Sequence, residues 1–133
     1  MRFLVLAAGL MALPAAAQDA PGAALRGVIS DQIDAIGVDD YARAFTFASP
    51  FIQGLFRTPE NFGAMVERGY PMVAAPRSVD FGETRAEGPL FFQDVIFEDA
   101  QGRFFTLEYE MIRGPDGFVI NGVTLKQPPE VGV

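Results

Sequence analysis

The spacing of apolar residues changes near residue 77, and this change limits the folds that the chain can adopt. Before residue 77, apolar side chains recur every three or four residues, as in helices that pack through one face; after it they alternate, as in strands. Helices that precede the strands, rather than alternating with them, predict an α+β domain. We therefore expect three N-terminal helices packed on a curved antiparallel sheet of about four strands, in one domain over residues 25–126.

The first two helices are predicted from apolar periodicity and from their end signals. Apolar residues at three- and four-residue spacing indicate a helix over residues 24–36, which Gly37 ends. Asp39 or Asp40 is expected to cap the second helix, because a carboxylate can accept a hydrogen bond from a free backbone N–H of the first turn.

Proline and glycine divide the chain that follows. Ser49-Pro50 interrupts the second helix, and residues 51–56 are expected to add another helical turn or two. Thr58-Pro59-Glu60 combines a capping residue, a proline at the first helical position and an acid in the first turn, so it predicts the start of a third helix. That helix should end at Gly69, with residues 70–72 leading into extended chain.

Two glycine-bearing turns determine the register of the last three predicted strands. The four strands are expected at residues 77–85, 89–98, 103–112 and 118–126. The turns at residues 99–102 and 114–117 both resemble a type I turn followed by a left-handed glycine, which closes a three-residue hairpin loop. A shift of one residue would move every side chain of a strand to the opposite face, so the orientation of the sheet depends on these turns.

The predicted register sorts the side chains into two faces. It places Gln93 opposite Tyr109, and Met111 opposite Asn121. The face that contains these residues is otherwise apolar, so the helices are expected to cover it. The other face mixes large apolar side chains with carboxylates, and it places Asp94 opposite Glu108.

The first seventeen residues have the three parts of a secretory signal peptide. Arg2 provides a positive start, residues 3–13 are apolar, and residues 14–17 offer small side chains for cleavage after Ala17. An apolar stretch of this length is too short for a membrane span, which needs about 20 residues. We expect a cleaved signal peptide over residues 1–17, a flexible leader over 18–24, an extended tail over 127–133, and a periplasmic or secreted protein that does not span the membrane.

The composition excludes several kinds of chemistry. The chain contains no cysteine and no histidine, so it has no thiol nucleophile, no disulfide, no imidazole base and none of the usual zinc or iron ligands. Its net charge of −7 argues against binding to nucleic acid, which requires clustered basic residues. No calcium-loop or nucleotide-binding glycine pattern is present. We expect no metal, no cofactor and no nucleic-acid partner.

Several short segments resemble a known family. They are Asp40-Tyr-Ala-Arg-Ala-Phe45, Phe47-Ala-Ser-Pro50, Phe62-Gly-Ala-Met-Val66, Gly69-Tyr-Pro-Met-Val73, Gln93-Asp-Val95, Tyr109, Asp116-Gly117 and Ile120-Asn-Gly122. Together they resemble the uncharacterised exported bacterial family called domain of unknown function 4864, and more widely the cone-shaped nuclear transport factor 2-like (cystatin-like) fold. The fold usually has Trp where this chain has Phe118. It hosts isomerases, dehydratases, binding proteins and partner modules, so it implies no single activity.

The resemblance implies a ligand cavity on the helix-facing side of the sheet. The predicted register places the hydrogen-bonding side chains of Gln93, Tyr109 and Asn121 in that apolar wall, and Tyr70 is placed to close the mouth of the cavity. The alternative is that these buried polar groups satisfy one another and the nearby backbone.

A catalytic function would need a base, and the predicted cavity lacks one. The carboxylates of Asp94, Glu98, Glu108 and Glu110 point away from the helices, onto a face where solvation keeps them poor general bases near neutral pH. We assign no catalytic residue. We favour non-catalytic binding of a small apolar or amphipathic ligand, or of an envelope protein partner; the alternative is a carboxylate-based isomerase- or dehydratase-like enzyme.

The mixed face gives a third hypothesis, a structural module that forms a homodimer. Seven large apolar side chains are predicted there, more than a solvated face normally carries. The candidate residues of the dimer face are Phe92, Ile96, Phe104, Phe118 and Ile120.

Overall fold

The computed structural model describes residues 20–126 as a set of helices followed by one antiparallel sheet. The helices are α1 (Ala20–Gly37), α2 (Tyr41–Thr46), α3 (Pro50–Phe56), α4 (Pro59–Gly69) and α5 (Pro71–Ala74). The strands are β1 (Ser78–Glu87), β2 (Leu90–Glu98), β3 (Phe104–Gly114) and β4 (Gly117–Lys126), in the order β1-β2-β3-β4. The α+β class is confirmed. The predicted signal peptide and C-terminal tail lie outside the described residues.

The helices begin at the predicted capping residues. Asp40, rather than Asp39, caps α2, because its carboxylate accepts a hydrogen bond from the Arg43 N–H at 3.1 Å. Thr58 caps α4 in the same way, accepting a hydrogen bond from the Asn61 N–H at 3.1 Å. Helix α1 starts earlier than expected, at Ala20, so the residues from 20 to 24 that were predicted as flexible leader are helical. Proline is well tolerated in the first turn of a helix, and Pro21 stands there.

The described residues contain five helices, where three were predicted. Ser49-Pro50 starts a new helix instead of only interrupting one: the Ser49 hydroxyl accepts a hydrogen bond from the Ile52 N–H, and Pro50 occupies the first helical turn. The expectation of extended chain at residues 70–72 is also wrong. Pro71 begins the short helix α5, and the carbonyl of Tyr70 accepts its first backbone hydrogen bond.

The register of the β2–β3 hairpin is confirmed. Gln93 pairs with Tyr109, and Asp94 pairs with Glu108. Gly102 has a φ angle of +77°, the left-handed conformation that glycine adopts without steric cost. The Asp99 carboxylate accepts hydrogen bonds from the backbone N–H groups of Gln101 and Arg103, just before β3, which stabilises the loop locally.

The predicted register of the β3–β4 hairpin is wrong near its turn. Gly114 pairs with Gly117, which leaves a two-residue loop, and Met111 consequently faces Ile120 rather than Asn121. A β-bulge then places Asn121 as an extra residue in β4, and the predicted pairing resumes beyond it, with Tyr109 opposite Val123.

This shift moves two residues of the predicted dimer face to the helix-covered face. Ile120 is 4% exposed and belongs to the core between the layers. The ring of Phe118 makes an edge contact with Phe91, with 5.0 Å between the ring centroids, and packs against the same core. Phe118 and Ile120 therefore cannot form part of an outer dimer face in this fold.

The core lies between the helices and one face of the sheet. Its apolar residues from α1 and the central strands β2 and β3 are almost fully buried, and they include Leu25, Ile29, Ile36, Val95, Phe97, Leu107 and Met111. This burial holds the two layers together, and the edge of the same interface opens into the cavity described below.

Helices α2 and α4 contact each other closely through Gly63. A Cβ atom added at Gly63 would lie 2.7 Å from Cγ of the Tyr41 ring, so glycine is required for the ring to pack there. The Tyr41 hydroxyl also donates a hydrogen bond to the Glu67 carboxylate at 2.6 Å. This hydrogen bond is the main reason why the pKa of Tyr41 is raised to about 12.

We predict that Gly63→Ala destabilises the domain, because the new methyl group displaces the Tyr41 ring. The free energy of unfolding should fall by about 1–3 kcal/mol, as expected for overpacking. Gly27→Ala is the matched control: Gly27 lies inside α1 with no neighbouring atom within 4 Å of an added Cβ, so alanine should stabilise by about 0.5–1 kcal/mol. Urea unfolding measures both changes. Equal effects of the two substitutions would contradict the Gly63–Tyr41 contact.

Candidate functional site

A cavity of about 300 Å³ lies between the helices and the C-terminal part of the sheet. Its wall is formed by apolar side chains from α1, α3, α4 and α5 and by the last two strands. The lining residues are Gln32, Ile36, Ala48, Phe51, Ile52, Leu55, Phe56, Phe62, Met65, Val66, Tyr70, Val73, Tyr109, Ile120, Asn121, Gly122 and Val123. None of these side chains is an acid or a base with a pKa near neutrality.

A short bridge of backbone hydrogen bonds holds α3 against the sheet at this cavity. The N–H of Ile120 donates to the carbonyl of Phe47, and the N–H of Ser49 donates to the carbonyl of Ile120, both at 2.8 Å. The Ser49 hydroxyl also donates to the side-chain carbonyl of Asn121 at 2.8 Å. Ser49 therefore both caps α3 and attaches its first turn to the bulge of β4.

Helix α3 forms the mouth of the cavity. None of its residues is buried, and Phe51 and Leu55 are 67% and 61% exposed although both line the cavity. None of the α3 side chains is among the predicted cavity residues. Their signal in the sequence is the Ser49-Pro50 start followed by apolar residues at spacings typical of a helix face.

Tyr109 is the most deeply buried polar side chain of the cavity wall, with 1% of its surface exposed. Among residues 20–126, its hydroxyl forms no hydrogen bond. The hydroxyl oxygen is not fully enclosed, since Asp94 Oδ1 is the one fully buried side-chain oxygen or nitrogen of these residues that lacks a partner. Burial raises the pKa of Tyr109 above its ordinary value, and the nearby Tyr70 raises it further. The hydroxyl consequently stays protonated and can donate a hydrogen bond.

The structure brings together three of the four predicted pocket residues. Tyr70, Tyr109 and Asn121 all line the cavity. The Tyr70 hydroxyl donates a long hydrogen bond, 3.4 Å, to the carbonyl of Val123. Both polar atoms of the Asn121 side chain have partners, since its amide nitrogen donates to Glu110 at 2.7 Å and its oxygen accepts from Ser49.

Gln93, the fourth predicted pocket residue, is fully buried but does not line the cavity. Its amide nitrogen donates to the carbonyls of Gly82 at 3.1 Å and Asp94 at 2.9 Å. Its amide oxygen accepts a hydrogen bond from the Thr84 hydroxyl. These contacts hold a β-bulge of β1, so Gln93 has the structural role that was the alternative to ligand binding.

The carboxylates Asp94 and Glu108 lie on the face of the sheet opposite the cavity, as predicted. They are not isolated there: Lys126 contacts Asp94 at 2.9 Å, and Arg85 contacts Glu108 at 2.6 Å. The expectation that Asp94 is solvated is wrong, because only 8% of its surface is exposed. The bulge in β1 brings the backbone of Gly82 over this side chain, so that an added Cβ would lie 3.2 Å from the Asp94 Cβ.

A comparison with protein-family models matches residues 18–133 to the family described as Domain of unknown function (DUF4864). The chain belongs to this family. The match covers more than half of the chain, and it includes every helix and strand of the described residues. No curated protein matches the chain.

Two further features of this DUF4864 domain concern the residues from 20 to 126. They contain no cluster of three or more side chains of the types that bind metal ions. No helix in this part of the chain is long and apolar enough to cross a membrane.

We predict that Gln93→Leu destabilises this DUF4864 domain without affecting the cavity. The substitution leaves the carbonyl of Gly82 and the hydroxyl of Thr84 without their partner, so the free energy of unfolding should fall by about 1–3 kcal/mol. Binding of an apolar probe should be unchanged, because Gln93 is absent from the cavity wall. Thermal unfolding tests the stability and probe titration tests the binding. A stable variant that no longer binds the probe would show that Gln93 takes part in ligand binding.

Proposed function

We propose that this domain binds a small apolar or amphipathic molecule in the cavity between α3 and the sheet, without catalysing a reaction on it. The supporting observation is Tyr109, a buried residue of an apolar wall whose hydroxyl has no hydrogen-bond partner among the described residues. A ligand atom that accepts a hydrogen bond from this hydroxyl would gain about 0.5–1.5 kcal/mol, the net contribution of one hydrogen bond.

The shape of the cavity favours a small molecule over an envelope protein partner. Its volume of about 300 Å³ is at the lower end of the range for ligand pockets, roughly 300–1,000 Å³. Apolar side chains surround it on the side of the helices and on the side of the sheet, which suits a compact ligand that enters past Phe51 and Leu55. A protein partner would bind a more extended surface.

The carboxylate-based enzyme receives less support. Isomerase- and dehydratase-like reactions need a general base within reach of the substrate, and no Asp or Glu lines the cavity. Asp94 and Glu108 are on the opposite face of the sheet and are paired with cations. Tyr109 is a weak candidate for a base because its raised pKa keeps it protonated.

The homodimer also receives less support than the cavity. Of its five candidate residues, Phe118 and Ile120 face the helices. Phe92 is partly covered by the guanidinium of Arg85, 5.2 Å from the ring centroid, and Ile96 is half-buried, so Phe104 remains the main exposed apolar side chain.

We further propose that the domain acts in the periplasm or outside the cell, after removal of residues 1–17. The three-part composition of these residues supports export. The family match begins at residue 18, which is the first residue of the chain that would remain after cleavage.

We predict that Phe51→Ala weakens binding of a neutral apolar probe such as 1-aminoanthracene about fivefold. The phenyl ring contributes apolar contact at the mouth of the cavity. Losing about 1 kcal/mol of binding free energy with that contact corresponds to an affinity about fivefold lower. Phe104→Ala is the matched control, because Phe104 is 65% exposed against 67% for Phe51 but lies outside the cavity wall. Fluorescence titration measures both affinities. Equal affinities of the two variants, or no saturable binding to the wild-type chain, would contradict binding in this cavity.

We predict that the full chain, expressed in a Gram-negative host, is recovered from the periplasm with a mass that lacks residues 1–17. Leu6→Arg places a charge in the apolar segment and should retain the uncleaved chain in the cytoplasm, because that segment must remain apolar to act as a signal. Cell fractionation and intact-mass spectrometry give both results. Recovery of the uncleaved wild-type chain in the cytoplasm would contradict export.

A further inference from the structure

The polar atoms that face the cavity are few, and most of them already have partners. Asn121 uses its side-chain oxygen and nitrogen on Ser49 and Glu110. The amide nitrogen of Gln32 donates to the carbonyl of Ala44 at 3.2 Å, and the Tyr70 hydroxyl is directed to a backbone carbonyl. Within residues 20–126, the Tyr109 hydroxyl is therefore the side-chain donor of the wall that forms no protein hydrogen bond, whereas the amide nitrogens of Gln32 and Asn121 each use one of their two N–H groups.

The wall carries no formal charge. Its seventeen residues include neither Asp, Glu, Lys nor Arg. Lys126 of β4 and Arg85 of β1 lie on the opposite face of the sheet and are engaged by Asp94 and Glu108. A charged ligand group inside the cavity would lose its hydration without gaining a counterion, which is strongly unfavourable.

The protonation state of Tyr109 agrees with this neutral surrounding. Burial is the main cause of its raised pKa, which means that the cavity disfavours a negative charge at that position. The hydroxyl therefore keeps its proton over the physiological pH range and can donate a hydrogen bond to an acceptor atom of the ligand.

We propose that the ligand is an uncharged, mainly aliphatic molecule with a carbonyl or alcohol oxygen that accepts a hydrogen bond from the Tyr109 hydroxyl. This inference rests on the proposed binding function and specifies its ligand class. A cavity of about 300 Å³ has the volume of about ten water molecules at roughly 30 Å³ each, so the ligand has on the order of ten non-hydrogen atoms. Medium-chain ketones, alcohols and lactones belong to this class, whereas fatty-acid anions do not.

The test compares four probes of one chain length: octane, 2-octanone, 1-octanol and octanoate. The affinity of each probe is measured at pH 8 by its displacement of 1-aminoanthracene. The proteins compared are the wild-type chain, Tyr109→Phe and Tyr41→Phe. Tyr41→Phe removes a hydroxyl outside the cavity, one that is bound to Glu67, and serves as the control. Circular dichroism establishes that each variant is folded; Tyr109→Phe removes no protein hydrogen bond among the described residues, so it is expected to fold.

Tyr109→Phe should lower the affinity for 2-octanone and for 1-octanol about fivefold, which is the effect of losing one net hydrogen bond. The affinity for octane should not change. Tyr41→Phe should leave all four affinities unchanged. In the wild-type chain, octanoate should bind at least about tenfold more weakly than 2-octanone, because its charge finds no counterion.

Two results would overturn the ligand class while leaving the binding function intact. In the first, Tyr109→Phe binds 2-octanone and 1-octanol as tightly as the wild-type chain does, and octane still binds. The second is octanoate binding as tight as that of 2-octanone, a comparison that needs only the wild-type chain. If no probe, octane included, displaces the dye, the proposed binding function itself fails.

Discussion

The arrangement of the domain depends on the two hydrogen bonds that Ile120 makes with the segment from Phe47 to Ser49. Backbone groups at the free edge of β4 are used to attach the start of α3, so this helix stays beside the sheet although none of its own side chains is buried. The bulge at Asn121 makes this attachment compatible with the rest of the strand, because it lets Ile120 face the core while Val123 keeps its pairing with Tyr109. The space left between helix and strand is the cavity.

Much of the fold follows from local signals, and the errors have local causes too. The Asp99–Gly102 turn and the caps Asp40 and Thr58 act through neighbouring residues alone, so their effects could be predicted from the sequence. The turn after β3 was harder, because a glycine at both ends and Pro115 between them also permit a two-residue loop. The bulge that corrects this shift forms through a contact with Ser49, seventy-two residues away from Asn121, and a local pattern does not contain that information.

The candidate site was predictable to the extent that it depends on strand register. The position of Tyr109 on the helix-facing side of the sheet follows from the β2–β3 pairing, and Tyr109 lines the cavity as expected. Gln93 lies on the same buried face, but its side chain is used by the bulge of β1, which one extra residue near Gly82 produces without a clear signal in the sequence. Helix α3 is too short for its apolar spacing to be distinctive, so the mouth of the cavity became visible only in three dimensions.

The two bulges also affect how the molecule behaves among its own copies. An open four-stranded sheet has two outer strands whose unpaired backbone groups can join the sheet of another molecule, a first step toward fibrils. In this domain β1 is distorted at Gly82 and Glu83, and β4 is distorted at Asn121 and already paired with Ala48. Neither outer strand offers a straight, uninterrupted template, so both bulges, of which the one at Asn121 borders the cavity, disfavour edge-to-edge strand addition between copies.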